Sequence, residues 1–327
     1  MSRLRPLLLA ALALGAVLAV PAPAGALVVG IGDQKPDMFS DPLFTGLGVS
    51  HARIAVSWDA LQTDWERAEL DQWMEAARVA GVQPLVGFWH ARGDRRRVLP
   101  KPERFKYEFR LFRARYPWVT TFATWNEANH CGEPTCHRPA LVAAYYRAMT
   151  RECPTCTIAA AEVLDMPNMG KWVDQFQHAL GYRPRLWGLH NYLDANRMRT
   201  SGTRTLLRHT RGHIWFTETG GIVERRNKSK VGFPESTAHA AAATRWVFDK
   251  LAPLSRRITR VYLYHWNAAR HDNWDSGLVD YRGRARPALG VVQQELRAAE
   301  ERRRKRLTSA ARSPGGAPAP PAPPAQG

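Results

Sequence analysis

Residues 119–129 read VTTFATWNEAN and carry the pattern that decides the fold. The first seven, Val119–Trp125, are mostly β-branched or aromatic, which is typical of a buried strand. Polar residues follow at once, so Glu127 stands just beyond the carboxyl end of that strand. Residues 213–220, HIWFTETG, repeat the arrangement and place Glu218 at the end of a second strand. Two apolar strands therefore each end in a carboxylate.

Eight short apolar runs alternate with longer segments of helical spacing along residues 27–301. The runs predict strands at Leu27–Ile31, Ala52–Val56, Pro84–Phe88, Val119–Trp125, Thr157–Val163, Leu186–Asn191, His213–Glu218 and Arg260–Trp266. Between them, stripes such as Leu70, Trp73 and Ala77 predict helices. This alternation over about 275 residues predicts a closed, single-domain α/β fold, the (β/α)₈ TIM barrel. An open doubly wound sheet is the alternative, but Gly30-Ile31-Gly32 lacks the third glycine of a nucleotide-binding turn.

The two ends of the chain differ in composition from the predicted barrel. Residues 1–26 contain two arginines, the apolar run Leu7–Val20 and the small-residue site Ala24-Gly25-Ala26, which together predict a secretory signal peptide. An uncleaved membrane anchor is the alternative, although the run is short for a membrane span. Residues 302–327 are first basic and then rich in proline and alanine, and we expect a disordered tail. The sequence therefore predicts a secreted or extracytoplasmic protein whose tail can approach the cell wall.

The chain is strongly basic, with 47 Lys and Arg against 29 Asp and Glu and a formal net charge of +18. Eight of the cationic residues fall outside residues 27–301, which leaves +10 on the predicted barrel. Such a surplus promotes attraction to polyanions. We expect no nucleic-acid partner, because export separates the protein from the chromosome and no nucleic-acid-binding motif appears. We also expect no stable membrane span, and a monomer.

Four cysteines, Cys131, Cys136, Cys153 and Cys156, fall within 26 residues, and their paired spacing suggests a Cys₄ zinc site. The segment between the pairs has helical spacing, and a helix of that length would hold them on the order of 20 Å apart. That distance argues against one shared metal ion. In an oxidising compartment we expect two local disulfides, Cys131–Cys136 and Cys153–Cys156, with free thiols as the alternative.

Glu127 and Glu218 end the predicted strands four and seven, which lie across the mouth of a small barrel from each other. Active sites of this fold lie at the carboxyl ends of the strands. Two carboxyl groups about 5–5.5 Å apart can cleave a glycosidic bond, because one protonates the leaving oxygen while the other attacks the anomeric carbon. Either glutamate alone would be interpreted as a rim carboxylate. The pair predicts glycosidase chemistry.

At these positions the sequence resembles glycoside hydrolase clan A, most closely family 5, and it is also similar to family 39. The matching positions keep the family's order and are Arg53, Trp89-His90, Asn126-Glu127, His190-Asn191-Tyr192, Glu218 and Trp266. Ala55 stands where the family commonly has a proline. The resemblance implies that Glu127 is the acid/base and Glu218 the nucleophile. It implies substrate contacts by Arg53, Trp89, His90, Asn126, His190, Tyr192 and Trp266, with Trp266 stacking on the cleaved sugar.

We therefore expect a secreted retaining glycoside hydrolase that cleaves a polysaccharide or oligosaccharide without a metal or cofactor. This chemistry requires a protonated Glu127 near neutral pH, which partial burial and an ionised Glu218 would favour. A non-catalytic barrel that binds carbohydrate or cell wall is one alternative, although binding alone requires no opposed carboxylates. A transglycosylase that uses the same residues is another.

Cationic residues cluster after the predicted strands three, six and seven, on loops that would open on the active face. The clusters are Arg92, Arg95, Arg96 and Arg97; Arg197, Arg199 and Arg204; and Arg225, Arg226, Lys228 and Lys230. A ring of positive charge there favours an acidic glycan or cell-wall polymer as the substrate. Arginine-rich, solvated loops without a substrate role are the alternative.

Four further polar or aromatic residues lie close to the predicted site. Glu162 and Asp165 follow the fifth strand, and we expect them at the solvated rim, with contacts to substrate hydroxyls as the alternative. We expect Trp58 and His265 to pack behind the site.

Overall fold

A parallel sheet forms the centre of the computed structural model, which describes residues 27–226 and 232–312. Its strands are β1 Val28–Gly32, β2 His51–Ser57, β3 Gln83–Trp89, β4 Thr121–Ala123, β5 Thr157–Ala159, β6 Glu162–Leu164, β7 Leu186–His190, β8 His213–Thr219 and β10 Ile258–Tyr264. A separate antiparallel ribbon pairs β9 Glu224–Arg225 with β11 Trp274–Asp275. The predicted signal peptide, residues 1–26, lies outside the described residues, as do residues 313–327 of the predicted tail.

The sheet runs in the order β5-β4-β3-β2-β1-β10-β8-β7-β6, with β1 paired to β10. β5 and β6 are two halves of one strand, separated by Ala160 and Ala161. The backbone of these two alanines bonds to Leu186 and Gly188 on β7, which continues the pairing across the break. The sheet therefore curves round into a barrel, and the predicted (β/α)₈ fold is confirmed. The fourth strand is shorter than predicted, and the fifth is divided.

Helices connect the strands and surround the sheet. They are α1 Pro42–Thr45, α2 Asp64–Val79, α3 Pro102–Arg115, α4 Pro139–Glu152, α5 Met169–Leu180, α6 Tyr192–Asn196, α7 Ser201–His209, α8 Thr237–Trp246 and α9 Pro287–Arg312. The 3₁₀ turns are Pro36–Ser40, Ala60–Gln62, Gly93–Arg95 and Ala252–Leu254, and a π-helical turn covers Val247–Leu251. Helix α9 does not end at Glu301, the expected end of the barrel, but continues through the basic residues to Arg312.

Apolar side chains fill two layers of the barrel. Between sheet and helices, Phe88 packs edge-on against Phe105, Phe109 and Phe112 of α3, with ring centroids 5.5 to 6.0 Å apart. A second cluster takes one residue from each of six strands and fills the barrel interior: Leu85, Ala123, Ala159, Leu186, Trp215 and Tyr262. Full burial of large apolar side chains contributes about 1.5–3 kcal/mol each. Because the interior is filled in this way, the polar side chains collect at the carboxyl ends of the strands.

The cysteines pair locally on either side of α4, as the sequence predicted. Cys131 bonds to Cys136 and Cys153 to Cys156, with Cα–Cα distances of 4.8 and 5.3 Å. Within the described part of the chain, none of the helices combines the length and the apolarity needed to cross a bilayer.

Candidate active site

The two glutamates predicted from the strand ends face each other at the mouth of the barrel. One oxygen of Glu127, one oxygen of Glu218 and a ring nitrogen of His190 all lie within 4.8 Å of one another. The Glu127 side chain is 23% exposed and the Glu218 side chain 14% exposed, so solvent reaches both carboxylates. The pair is therefore open to a ligand from the mouth side.

Glu127 turns into the mouth through an unusual backbone conformation. Its φ is 46°, in the left-handed region, where a residue with a side chain costs roughly 1–2 kcal/mol. The residues on either side are fixed to neighbouring strands, since Asn126 N donates to Phe88 O at 2.7 Å and Ala128 N donates to Glu162 O at 2.9 Å. The flanking pairings stabilise a conformation that points the carboxylate across the barrel.

Arg53 of β2 lies buried beneath the mouth of the barrel and bonds to residues from three other strands or strand ends, β4, β6 and β8. Its side chain is 1% exposed and donates from Nη1 to Glu218 Oε2 at 2.8 Å. Nη2 donates to Asn126 Oδ1 at 2.6 Å, and Nε and Nη2 each donate to Glu162 at 2.7 Å. Burial alone would lower the pKa of Arg53, but the charges of Glu162 and Glu218 raise it above its usual value. Arg53 contacts carboxylates rather than the open cleft, so it positions Glu218 instead of binding substrate directly.

Glu162 is the main site residue that sequence reasoning missed. The expectation of a solvated rim position is wrong, because the side chain is fully buried beneath the two glutamates. Gly87 and Gly188 make room for it, since a Cβ at these positions would lie 2.5 and 2.7 Å from Glu162 atoms. Burial raises the pKa of Glu162, but Arg53 and His190 lower it to about 2. The sequence feature that could have indicated this burial is the position of Glu162 within the otherwise apolar run Ala159–Val163.

His190 lies among three carboxylates and is fully buried. Nδ1 is 3.3 Å from Glu127 Oε1 and 3.9 Å from Glu218 Oε2, and Nε2 is 3.7 Å from Glu162 Oε1. Burial lowers the pKa of His190, but Glu218, Glu127 and Glu162 together raise it to about 9. His190 is therefore an imidazolium at neutral pH.

The positive charge of His190 changes the protonation state expected for the Glu127 carboxyl group. Burial raises the pKa of Glu127, but the hydrogen bond and charge of His190, aided by His130 and Arg53, lower it below its ordinary value. The expectation of a protonated Glu127 near neutral pH is therefore wrong. The proton lies on the neighbouring His190 instead.

Tyr192 is the second side chain that orients Glu218. Its hydroxyl donates to Glu218 Oε1 at 3.0 Å, while Arg53 occupies Oε2. The Tyr192 ring is itself fixed edge-on against Trp274, with centroids 4.9 Å apart. Both oxygens of Glu218 are therefore oriented by buried donors.

Trp266 does not line the cleft, and the prediction that it stacks on a sugar is wrong. Its side chain is fully buried, Nε1 donates to Asp41 Oδ2 at 2.9 Å, and Phe44 packs edge-on against the ring. The chain leaves β10 so that Tyr264 and Trp274 face the cleft in its place. His265 and Trp58 are buried behind the site, as expected.

The residues following β3 lie to one side of the cleft. Trp89 stacks on His90 with ring centroids 4.7 Å apart, and neither is among the described residues that line the cleft. Both His90 ring nitrogens face protein groups, with Nδ1 2.9 Å from Ala91 O and Nε2 3.3 Å from Glu133. Their contact with substrate stays a prediction from the resemblance.

The cleft has a volume of about 450 Å³ above the two glutamates. Its lining residues are Glu127, His130, Leu164, Asp165, Met166, Tyr192, Leu193, Glu218, Arg225, Phe233, Tyr264 and Trp274. Asp165 is buried rather than solvated, so its expected rim position is wrong. It accepts hydrogen bonds from the backbone of Leu193 and Asp194, and burial with the charge of Asp194 raises its pKa to about 7.

The arginine clusters contribute less to the cleft than their sequence positions suggest. Among the described residues, Arg225 is the cluster member that lines the cleft, and it pairs with Glu235 at 2.9 Å. Arg92 pairs with Glu69 at 2.9 Å and Arg95 with Asp59 at 2.7 Å. Lys228 and Lys230 lie outside the described residues.

Comparison with known proteins establishes the fold. No family model matches the chain, and no curated protein does. Among solved structures, it is similar to the exo-β-1,4-mannosidase Op5Man5 from Opitutaceae bacterium strain TAV5, at 16% identity and a TM-score of 0.60, over 86% of this chain and 61% of that one. It is also similar to GH5_18 from Streptomyces cattleya, solved in complex with GlcNAc, at 15% identity and a TM-score of 0.59, over 84% and 80%.

A third similar structure is a family 39 glycoside hydrolase from the gut symbiont Bacteroides cellulosilyticus WH2, at 12% identity and a TM-score of 0.53, over 84% of this chain and 64% of that one. The chain thus spans less than two thirds of the length of the mannosidase and the family 39 protein. These similarities confirm at the level of the fold the resemblance to clan A barrels of families 5 and 39.

Proposed function

We propose that this protein is a secreted retaining glycoside hydrolase, with Glu218 as nucleophile and Glu127 as acid/base. The observation that carries the proposal is the approach of the two carboxylates, which bring one oxygen each within 4.8 Å at the mouth of the barrel. Retaining enzymes hold the two groups about 5–5.5 Å apart, whereas inverting enzymes need about 6.5–9.5 Å to admit a water molecule. The separation supports double displacement.

In the first step Glu218 attacks the anomeric carbon. A bond forms between a Glu218 oxygen and that carbon, the bond to the leaving oxygen breaks, and Glu127 gives that oxygen a proton. Arg53 and Tyr192 orient Glu218 for this attack through the 2.8 and 3.0 Å hydrogen bonds. In the second step Glu127 takes a proton from water, the oxygen of that water attacks the same carbon, and Glu218 is released as a carboxylate.

The proton that Glu127 donates comes from His190. His190 carries this proton before catalysis, and its Nδ1 lies 3.3 Å from Glu127 Oε1. A bound sugar excludes water from the cleft and strengthens the repulsion between the Glu127 and Glu218 carboxylates. That repulsion favours transfer of the proton from His190 to Glu127, which then passes it to the leaving oxygen.

Two observations support secretion. Residues 1–26 have the composition of a signal peptide, and two disulfides are typical of an oxidising compartment. Protein recovered from the culture medium of the producing cell should begin at Leu27 on amino-terminal sequencing. Recovery from the cytoplasm with Met1 still present would contradict this part of the proposal.

The experiment for the whole proposal is a turnover screen of the purified protein on aryl glycosides, oligosaccharides and polysaccharides. The anomer first released from any active substrate is then identified by NMR. We expect turnover with retained configuration, which Glu218→Gln should remove on every substrate. Glu127→Gln should remove it on natural substrates and lower it far less on aryl glycosides with activated leaving groups. Glu75→Gln, an exposed glutamate on α2 that pairs with Arg78, serves as the matched control and should be fully active. Inverted product, or no turnover on any substrate, would overturn the proposal.

A further inference from the structure

One wall of the cleft is apolar. Four apolar residues line the cleft and are half-buried: Leu164 and Met166 at the end of β6, Leu193 of α6, and Phe233, which follows β9. In the sheet, β6 and β7 lie between β4, which leads to Glu127, and β8, which carries Glu218. We call these four residues the apolar wall. It borders the cleft between the two catalytic glutamates.

Two charged residues that line the cleft beside the apolar wall, Asp165 and Arg225, form hydrogen bonds or ion pairs with the protein. Asp165 accepts from Leu193 N at 3.1 Å and from Asp194 N at 2.7 Å. Arg225 pairs with Glu235 at 2.9 Å and lies over the Phe233 ring, 4.6 Å from its centroid. These contacts direct Asp165 and Arg225 toward protein partners, and the side chains of Leu164, Met166 and Leu193 supply aliphatic surface that lines the cleft.

Such a wall is poorly suited to a second sugar ring. A sugar carries hydroxyls around most of its ring, and each hydroxyl buried without a partner costs free energy because its hydrogen bonds to water are lost. An alkyl or aryl group has no such cost and gains from leaving water. The opposite side of Glu218 differs, since Tyr264 of β10 and Trp274 offer aromatic faces next to the nucleophile. The sugar that is cleaved fits there.

We propose that the apolar wall binds the leaving group, and that the substrate is a glycoside of an alkyl or aromatic alcohol. The inference rests on the proposed function, because a leaving group must lie beside the acid/base Glu127. It departs from the polysaccharide expected from the sequence, and from the acidic glycan suggested by the arginine clusters. The described cluster member that lines the cleft, Arg225, is bonded to Glu235.

The catalytic test varies the leaving group while the sugar is held constant. With the sugar that the turnover screen identifies, kcat/KM should rise about fourfold per methylene from the methyl to the hexyl glycoside, as expected for burial of each group. Leu193→Ser and Met166→Ser should each reduce the increase in kcat/KM per methylene. Val79→Ser, which removes an exposed valine from the end of α2, should leave it unchanged. A flat series in the wild type, or faster cleavage of the matching oligosaccharide, would overturn the inference.

A binding test separates this inference from the proposed function. Free 4-methylumbelliferone, an aromatic alcohol, should bind the wild-type protein with a change in its fluorescence, and Leu193→Ser should weaken binding about tenfold. Binding without turnover of any glycoside would support the apolar wall and overturn the proposed catalysis. Absence of binding, or equal binding by wild type and Leu193→Ser, would overturn the apolar wall. Thermal unfolding of each variant shows whether it remains folded.

Discussion

Arg53 and Glu162 form a fully buried ion pair beneath the mouth of the barrel, joined by two hydrogen bonds of 2.7 Å. The other edge of the same guanidinium holds Glu218 at 2.8 Å. The Arg53 guanidinium donates to both carboxylates, so its orientation depends on each of them. The position of Glu218 therefore depends on Glu162, a residue that has no contact with the cleft.

Replacement of Glu162 by Gln should destabilise the protein. The change keeps the shape of the side chain but removes one of the anions paired with buried Arg53, and breaking such a pair costs on the order of 3 kcal/mol. Urea unfolding measures the loss. Glu75→Gln, which breaks the exposed pair with Arg78, should leave the free energy of unfolding nearly unchanged. Equal stability of the Glu162 variant and the wild type would contradict the buried ion pair.

Stability should fall in mildly alkaline solution because of His190. Its pKa is about 9 in the folded protein and about 6.5 when unfolded, so the folded state binds the proton more tightly. The resulting stabilisation, on the order of 3 kcal/mol, is complete below pH 6.5 and is lost as the pH rises through 9. Urea unfolding of the wild type and of His190→Asn across this range checks the effect. If the free energy of unfolding of the two proteins changed equally with pH, His190 would be excluded as the source of the effect.

Tyr192→Phe should lower kcat while the fold stays intact. The change removes one hydrogen bond to the Glu218 carboxylate, and hydrogen bonds to charged groups contribute about 1.5–3 kcal/mol, equivalent to roughly 10- to 150-fold in rate. Steady-state kinetics should show most of the loss in kcat rather than KM, since the hydroxyl points at the nucleophile. A change confined to KM would mean that Tyr192 binds substrate instead.

Trp266 and Trp274 should respond in opposite ways to substitution. Trp266 is fully buried and bonded to Asp41, so Trp266→Ala should cost about 3–5 kcal/mol of stability. Trp274 lines the cleft, so Trp274→Ala should raise KM with a smaller loss of stability. Thermal unfolding and kinetics on the same samples separate the two effects. A stable Trp266→Ala protein with a raised KM would restore the role suggested by the resemblance.

Much of the fold follows from the sequence, because buried parallel strands require apolar runs and the eight runs each lie at a strand. Glu127, Glu218 and Tyr192 were predictable as well, since the polar residues that end the strands of this fold collect at one mouth. The burial of Glu162 was not predictable in this way. It depends on Arg53, Gly87 and Gly188 from three other strands, and sequence spacing carries no information about such a meeting.

The sequence also does not predict which way a side chain points once the chain has left a strand. Trp266 and Tyr264 are two residues apart, and the turn after β10 decides which of them faces the cleft. It was likewise not predictable from sequence that His190 carries the proton expected on Glu127. That charge arises from three carboxylates that approach the ring from separate parts of the chain.

The central claim is that Glu218 attacks the sugar while Glu127 faces it across the same bond. Replacement of Glu218 by Ala should lower kcat by about 10⁴-fold or more, and azide added to the variant should restore turnover. Azide attacks the anomeric carbon from the face that Glu218 attacks in the wild type. Because no second displacement follows, the glycosyl azide should have inverted configuration. Undiminished activity of Glu218→Ala, or a rescued product of retained configuration, would contradict the account.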